Sequence, residues 1–290
     1  METILLQLSS GLIKAMLLFL IASGLSLIWG MGRVINVAHA SFYVLGAFTV
    51  FSIMKLPTPS SFNYAVALVI APVLVALVAA VIELGLLRRT YHRGILPVVM
   101  ITFGLVFVIQ GLIGLIWGNS LHVVATPTFL RGAVSIGVVT IAKNQLPIVI
   151  VAPLTAVGIW VVFYRTRWGT LVRAATQDRE MLGALGVNVP RLFTITFMMA
   201  AWLSALGGVL VAPTVGLFPA MDGPLIVDAF AVVVIGGLGS VLGSLLAAII
   251  IGLVFAFSLL VAPELNTVLT FLIMAVVLSI RPWGLRGTPE

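Results

Sequence analysis

The fold class is decided by residues 229–263, which read AFAVVVIGGLGSVLGSLLAAIIIGLVFAFSLLVAP and contain no charged side chain. About 20 apolar residues are enough for a helix to cross the roughly 30 Å hydrocarbon core of a membrane. The apolar residues here are continuous, whereas strands of a membrane barrel alternate apolar and polar residues with a period of two. The stretch therefore predicts membrane-spanning helices.

The composition of the whole chain extends this prediction to all 290 residues. Hydrophobic residues make up 62% of the chain and charged residues 8%, against about 25% charged residues in a soluble domain. Such a chain cannot cover a soluble surface or stay disordered, and with no cysteine it cannot form a disulfide-linked scaffold. We predict a single all-α, polytopic transmembrane domain over residues 1–290.

Proline, glycine and polar clusters divide the chain into eight apolar segments and one shorter piece. The shorter piece, 226–235, runs into the sequence GGLGS at 236–240, and its periodicity does not decide whether it crosses or returns. We predict about eight to nine membrane-spanning helices, some of them short or broken. The eight longer segments are 10–29, 36–54, 64–87, 95–117, 145–163, 192–212, 241–260 and 266–281.

Basic residues are unevenly distributed between the two sets of loops, and this predicts the orientation. By the positive-inside rule the arginine-rich loops are cytoplasmic, so the N-terminus lies outside and the C-terminus inside. Residues 118–144 then form an outer loop and 164–191 a cytoplasmic loop, and 226–235 counts as a short ninth crossing. The inner set holds Arg33, Arg88, Arg89, Arg93, Arg165, Arg167, Arg173, Arg179, Arg191, Arg281 and Arg286, and the outer set holds Lys14, Lys55, Arg131 and Lys143.

The cytoplasmic loop 164–191 predicts a short amphipathic helix over 170–184. Its apolar residues recur at mostly three-to-four spacing, Gly186 supplies a C-terminal stop, and Pro190 bars simple continuation. A charged helix of this kind suits docking into a groove on a partner protein. The alternative is a solvated helix that lies on anionic lipid.

Four motifs resemble those of permease subunits of branched-chain amino acid ABC importers, the LivH type. They are GMGRVINVAH at 30–39, RAATQDREMLGALGVNV at 173–189, VIGGLGSVLG at 234–243 and RPWGL at 281–285. Their order and spacing extend the resemblance over nearly the whole chain. One departure is Ala40-Ser41, which replaces the glycine–acid pair that commonly follows the histidine in that family, so a role of that carboxylate is not carried over.

The resemblance implies an importer of several subunits. A second, homologous permease would share the translocation path, two cytoplasmic ATPase subunits would use ATP and Mg²⁺, and an external solute-binding protein would deliver the solute. Because this chain has no Gly-Lys dipeptide, it lacks the phosphate-binding loop G-x-x-x-x-G-K-[ST], and we expect it to bind no cofactor itself. The helix at about 173–185 would sit in a cleft of an ATPase subunit. The candidate coupling residues are Arg173, Asp178, Arg179, Glu180, Leu182, Leu185 and Gly186.

Polar residues and glycines within the spans supply candidates for the translocation path or its gate. A polar side chain in a span is costly, and irregular backbone there needs protein or a water-filled cavity beside it. For each candidate the alternative is helix packing, and we expect His39 to lie near the inner face. The candidates are Asn36, His39, Ser41, Gln110, Gly236, Gly237 and Gly239.

No enzyme chemistry is indicated by the sequence. Three histidines, no cysteine and widely separated acids give no metal-ligand spacing and no Ser/His/Asp arrangement. Glu83, close in sequence to Arg88 and Arg89, is interpreted as part of an interfacial ion pair. Since the basic residues lie between long apolar runs, we expect the lipid membrane and not nucleic acid as the surrounding partner.

The outer loop 118–144 predicts a small β-hairpin, because residues 129–142 are rich in β-branched side chains with glycines between them. We expect this hairpin and residues 213–225, with Asp222, to receive the solute-binding protein.

Two other function classes stay open at this point. A secondary transporter or channel for small solutes is expected to carry a charged residue deep in its spans, and none is visible away from the span ends. A structural or assembly subunit is the second alternative. The resemblance favours a permease of an ATP-driven importer in the bacterial inner membrane, whose solute is a branched-chain amino acid, another amino acid, an amide such as urea, or a small carboxylate.

Overall fold

The computed structural model describes residues 2–32, 34–136 and 139–287. Arg33, which the orientation argument counts among the inner arginines, lies outside the described residues. The described part contains eleven α-helices and two β-strands. They are α1 Glu2–Gly32, α2 His39–Met54, α3 Ser60–Gly85, α4 Ile95–Trp117, β1 Ala133–Ile136, β2 Val139–Ala142, α5 Leu146–Arg165, α6 Arg167–Gln177, α7 Arg179–Ala184, α8 Val189–Val211, α9 Asp222–Gly236, α10 Val241–Val261 and α11 Asn266–Ile280.

Among the described residues, seven helices are long and apolar enough to cross a membrane: α1, α3, α4, α5, α8, α10 and α11. Two shorter apolar helices, α2 and α9, complete the bundle. Each of the eight longer predicted segments coincides with one helix, and the short piece at 226–235 lies within α9. The predicted fold class, an all-α transmembrane bundle with short or broken helices, is confirmed.

The bundle has a buried centre and an exposed periphery. Helices α1, α2 and α8 pack against one another and are largely buried, whereas α4, α5 and α11 expose most of their apolar side chains. Close approach depends on small residues, since a Cβ on Gly208 of α8 would lie 1.9 Å from the Tyr43 carbonyl oxygen of α2. Because lipid is as apolar as these side chains, the exposed helices suit the lipid-facing positions of a membrane protein.

The helix ends define two faces of the bundle. The arginine-rich face comprises residues 86–94, 165–191, 237–240 and 281–287, and it holds every described arginine except Arg131. The hairpin face comprises residues 55–59, 118–136, 139–145, 212–221 and 262–265. There β1 and β2 pair antiparallel, with Ala133 opposite Ala142.

Candidate functional site

Helix α2 begins in the middle of the bundle and not at a face. Its first residue, His39, donates from Nε2 to the Ile21 carbonyl oxygen (3.0 Å) and accepts at its own carbonyl from the Ser204 hydroxyl (3.0 Å). Ile21 and Ser204 lie well inside α1 and α8. The expectation that His39 lies near the inner face is therefore wrong, because residues 34–38 carry the chain back from the end of α1 in an irregular, largely buried segment.

That irregular segment is covered by protein, as backbone at membrane depth requires. The Val37 backbone N–H donates to the Thr102 hydroxyl of α4 (3.3 Å). Asn36 is fully buried, and neither its amide nitrogen nor its amide oxygen has a hydrogen-bond partner among the described residues. His39 Nδ1 is likewise unpartnered there. Two of the predicted path residues thus place unused polar atoms inside the bundle.

A buried carboxylate joins two further path candidates. Asp222, the first residue of α9, is 2% exposed and accepts from the Ser41 hydroxyl of α2 (2.6 Å) and from the Gln110 amide of α4 (2.7 Å). We name Ser41, Gln110 and Asp222 the polar cluster. Among the described residues, no basic side chain lies within 4.0 Å of the Asp222 carboxylate. Both oxygens accept hydrogen bonds, and the N-termini of α2 and α9 supply positive helix-dipole ends beside the carboxylate.

The polar cluster corrects two expectations. Asp222 is buried within the helices, so it is not free to contact a solute-binding protein at the surface. The expectation that no charged residue lies deep in the spans is also wrong. The contacts of Asp222 could not be seen in the sequence, because its partners lie on α2 and α4, 181 and 112 residues away.

A second charged feature, an ion pair, lies inside the helical bundle. Lys14 of α1 pairs with Asp228 of α9 (Nζ to Oδ2, 3.4 Å) and lies over the Phe255 ring of α10, 4.7 Å from its centroid. The two charged side chains are about a quarter exposed, at 24% and 23%. Lys14 therefore does not belong to an outer loop, where the orientation argument counted it. The pair is neutral overall, which lowers the cost of placing its charges at this depth.

The three candidate glycines lie apart from the polar cluster, at the turn between α9 and α10. Gly237 and Gly239 have φ of 99° and 84°, which favour glycine. A Cβ on Gly239 would lie 2.9 Å from Gly30 Cα at the end of α1. The C-terminal segment closes over this turn, since the Arg286 backbone N–H donates to the Gly236 carbonyl oxygen (3.1 Å). In this structure the glycines therefore permit close packing on the arginine-rich face.

The predicted loop helix at 170–184 is two helices, α6 and α7, with a break at Asp178. Asp178 is extended (φ −149°) and its side chain accepts from the Met181 backbone N–H (2.9 Å), which makes it the N-cap of α7. An aspartate satisfies a free helix N–H better than it continues a helix, and this explains the break. Gly186 has φ of 84° and follows the end of α7, at the predicted stop.

Side-chain exposure divides the candidate coupling residues in α7 and at its C-terminal end, where Leu185 follows the last helical residue. Leu182 is buried against its own chain at 5% exposure, whereas Leu185 is 74% and Met181 59% exposed. Leu182 therefore cannot offer its side chain to a partner, and Met181, which the sequence argument did not single out, can. Glu180 is also exposed. Spacing alone could not show which side of the helix is covered by the rest of the loop.

The two candidate arginines tie the loop to the spans. Arg173 donates to the Phe163 carbonyl oxygen at the end of α5, and Arg179 donates to the Met31 carbonyl oxygen at the end of α1. Arg173 also lies over the Phe163 and Tyr164 rings, 5.6 and 5.4 Å from their centroids. A displacement of α6 or α7 would therefore be transmitted to the ends of α1 and α5.

The hairpin face brings the two outer segments together. His122 and Leu217 exchange backbone hydrogen bonds of 2.9 and 2.7 Å, and the Asn144 amide donates to the Pro213 carbonyl oxygen (3.3 Å). Leu121 and Val123 are exposed beside this contact. Residues 118–136 and 139–145 thus form one continuous surface with residues 213–221.

The family described as branched-chain amino acid transport system / permease component matches residues 7–278 of this sequence. The chain belongs to this permease family. Similar proteins include the high-affinity branched-chain amino acid transport system permease proteins LivH of Salmonella typhimurium and BraD of Pseudomonas aeruginosa. They are 27% and 28% identical to the permease, and each match covers 98% of this chain and 96% of the relative.

A partial match lies outside the branched-chain group. The fructose import permease protein FrcC of Rhizobium meliloti is 30% identical over 47% of this permease and 40% of its own length. No solved structure matches the permease. Membership of the family identifies the chain as a multi-pass membrane permease component, a conclusion that no longer depends on the absence of charged residues from the spans.

The predicted ion pair of Glu83 and Arg88 is present at the end of α3, with a buried carboxylate and an arginine side chain that is 37% exposed. Glu83 is fully buried and lies 3.4 Å from Arg88 Nε, and it also accepts from the Thr194 hydroxyl of α8 (2.8 Å). Nearby, burial raises the pKa of the Tyr91 hydroxyl well above its usual range, and the Glu83 carboxylate raises it further. The Glu83–Arg88 spacing could be seen in the sequence, whereas the contact with Thr194 could not.

Proposed function

We propose that this chain is one half of the translocation path of an ATP-driven importer for branched-chain amino acids or related small solutes. Similarity along almost the whole chain to permeases named for that transport carries the proposal. The membrane is the inner membrane of a bacterial cell, and a second, homologous permease subunit completes the path. A secondary transporter or channel is the rival function, and the exposed coupling loop favours the importer.

Two cytoplasmic ATPase subunits would bind the arginine-rich face, and they would use the ATP and Mg²⁺. Helix α7 supports this part of the proposal, because Met181 and Leu185 expose an apolar strip one helical turn apart beside the charged Glu180. Arg179 links the same helix to the end of α1. An apolar helix face of this kind fits a groove on a partner, from which movement could reach the spans.

Replacing Leu185 with glutamate tests this assignment. The side chain is exposed, so the fold should persist, while a charge in an apolar groove should weaken the ATPase contact. We expect fewer ATPase subunits to co-purify and uptake to fall. For the co-purification of ATPase subunits, Leu121→Glu is the matched control, since Leu121 is 67% exposed on the opposite face. Full ATPase retention by Leu185→Glu would refute the coupling assignment.

The external solute-binding protein would dock on the hairpin face. The joined surface of residues 118–136, 139–145 and 213–221, with exposed Leu121 and Val123, supports this position. Deleting residues 128–142 should weaken docking of the binding protein and leave basal ATP hydrolysis intact. Normal transport by the deletion variant would argue against the hairpin.

The solute is best identified through the binding protein that works with this permease. We expect leucine, isoleucine or valine to raise its melting temperature, and fructose to leave it unchanged. Proteoliposomes with all subunits should then accumulate the stabilising ligand only when ATP is hydrolysed. Accumulation by the permease without nucleotide would support the secondary-transporter alternative.

A further inference from the structure

The arginine-rich face contains a cavity of about 690 Å³, whose lining shares Arg173 with the candidate coupling residues and Gly239 with the path candidates. It lies between the ends of α1, α5 and α11, one side of α6, the α9–α10 turn and the C-terminal segment. Its lining includes Arg173, Arg286, Trp29, Trp283, Tyr164 and Ser240.

The charge of the cavity is positive in the part of the chain that the structure describes. Arg173 and Arg286 are the charged residues in its described lining, and no described carboxylate lines it. Arg173 is held in place by the Phe163 carbonyl oxygen and the Thr170 hydroxyl, the latter at 3.4 Å from Nη2. The Arg286 side chain makes no hydrogen bond or ion pair with the described residues, although its backbone N–H is fixed on Gly236. Two guanidinium groups without an acid partner favour an anion, and phosphate oxygens suit their planar donors.

The position of the cavity favours an anion that is attached to a lipid. Trp283 and Tyr164 are 45% and 42% exposed at its rim, and such aromatic residues are typical of the membrane–water interface. Leu278 of α11 lines the cavity, and Thr270 is the one buried residue of that helix. The cavity therefore has a basic side toward the arginine-rich face and an apolar side toward exposed, membrane-facing helices.

We propose that this cavity binds the phosphate group of an anionic phospholipid, with the acyl chains along α11. Basic pockets between transmembrane helices on the cytoplasmic side are suited to such headgroups. A free phosphate ion shares the headgroup chemistry, but it would make no use of the apolar side. The site is independent of the solute, so it stands or falls separately from the proposed function.

Arg286→Gln in the full-length permease tests the site, with lipid retention measured by native mass spectrometry after exposure to phosphatidylglycerol or phosphatidylcholine. Arg286 makes no side-chain contact that the fold needs, so the variant should remain folded. We expect phosphatidylglycerol retention to fall about fivefold, the effect of one arginine near a lipid surface. Arg286→Lys should keep most of it. Arg89→Gln removes an exposed arginine of the same face outside the cavity and should have no effect.

Three results would overturn the proposal. Equal retention of phosphatidylglycerol by Arg286→Gln and the unchanged permease would show that the cavity does not hold the lipid. An equal loss in Arg89→Gln would indicate a diffuse surface charge effect. Displacement of phosphatidylglycerol by millimolar inorganic phosphate would identify a site for free phosphate.

Discussion

Replacing Asp222 with leucine tests whether its carboxylate holds α2, α4 and α9 together. The substitution leaves the Ser41 hydroxyl and the Gln110 amide without their acceptor. The hydroxyl can turn to a backbone carbonyl of residues 37–38, which precede α2, so the cost falls mainly on Gln110. A buried donor without a partner costs about 1–3 kcal/mol, and we expect a total loss of roughly 2 kcal/mol. For a chain of this size that corresponds to a melting temperature lower by about 4–8 °C.

Asp222→Asn separates hydrogen bonding from charge. The asparagine oxygen can still accept from Gln110, and the Ser41 hydroxyl can accept from the new amide nitrogen, so the loss should stay below about 1 kcal/mol. Melting of the purified permease in one detergent, followed by leucine uptake in the assembled importer, provides the measurement. Gln110→Leu should lower the melting temperature, and adding it to Asp222→Leu should cost little more, because the two residues share one interaction. A loss in Asp222→Asn as large as in Asp222→Leu, or no loss in either, would refute the hydrogen-bond account.

Three further perturbations follow from individual contacts. Gly208→Ala should lower the melting temperature more than Gly207→Ala, because the new Cβ would lie 1.9 Å from a backbone oxygen of α2 in the first case and at least 3.4 Å from any neighbour in the second. Lys14→Leu or Asp228→Leu alone should reduce the folded yield more than the double variant does, because each single change leaves one unpaired charge inside the helical bundle. Equal yields of the three variants by size-exclusion chromatography would contradict this. Asp178→Ala should destabilise α7 by about 1 kcal/mol because it removes the N-cap, whereas Asp178→Asn keeps the cap. We expect amide hydrogen exchange in α7 to become faster in Asp178→Ala and to stay unchanged in Asp178→Asn.

Local patterns were sufficient where the signal lies within one segment. The charge-free stretches located the helices, and the proline and glycine positions located their ends. The stop at Gly186 depended on one residue type that tolerates a positive φ. The break at Asp178 was available from the same kind of reasoning, since aspartate favours an N-cap, but the helix formers on both sides suggested one continuous helix.

Patterns failed where a residue is defined by contacts distant in sequence. From the sequence, Asp222 resembles a surface acid because it follows a loop. Its burial depends on the irregular segment 34–38, which ends beside α4 and so brings the start of α2 close to Gln110. Leu182 and Leu185 are equivalent in spacing, yet only one faces the rest of the chain. The predicted span 36–54 places His39 near a face because it counts residues 36–38 as part of a straight helix, whereas they belong to the irregular segment.

The sequence by itself determined that this protein is a helical membrane bundle of the permease family, because apolar runs and ordered motifs are properties of contiguous residues. Only the tertiary structure decided that α2 starts in mid-bundle, that Asp222 and the Lys14–Asp228 pair lie within it, and which side of α7 is exposed. The physical reason is that burial and hydrogen-bond partners arise when helices from distant parts of the chain pack together. A charged side chain whose partners are distant in sequence meets them only in the folded bundle.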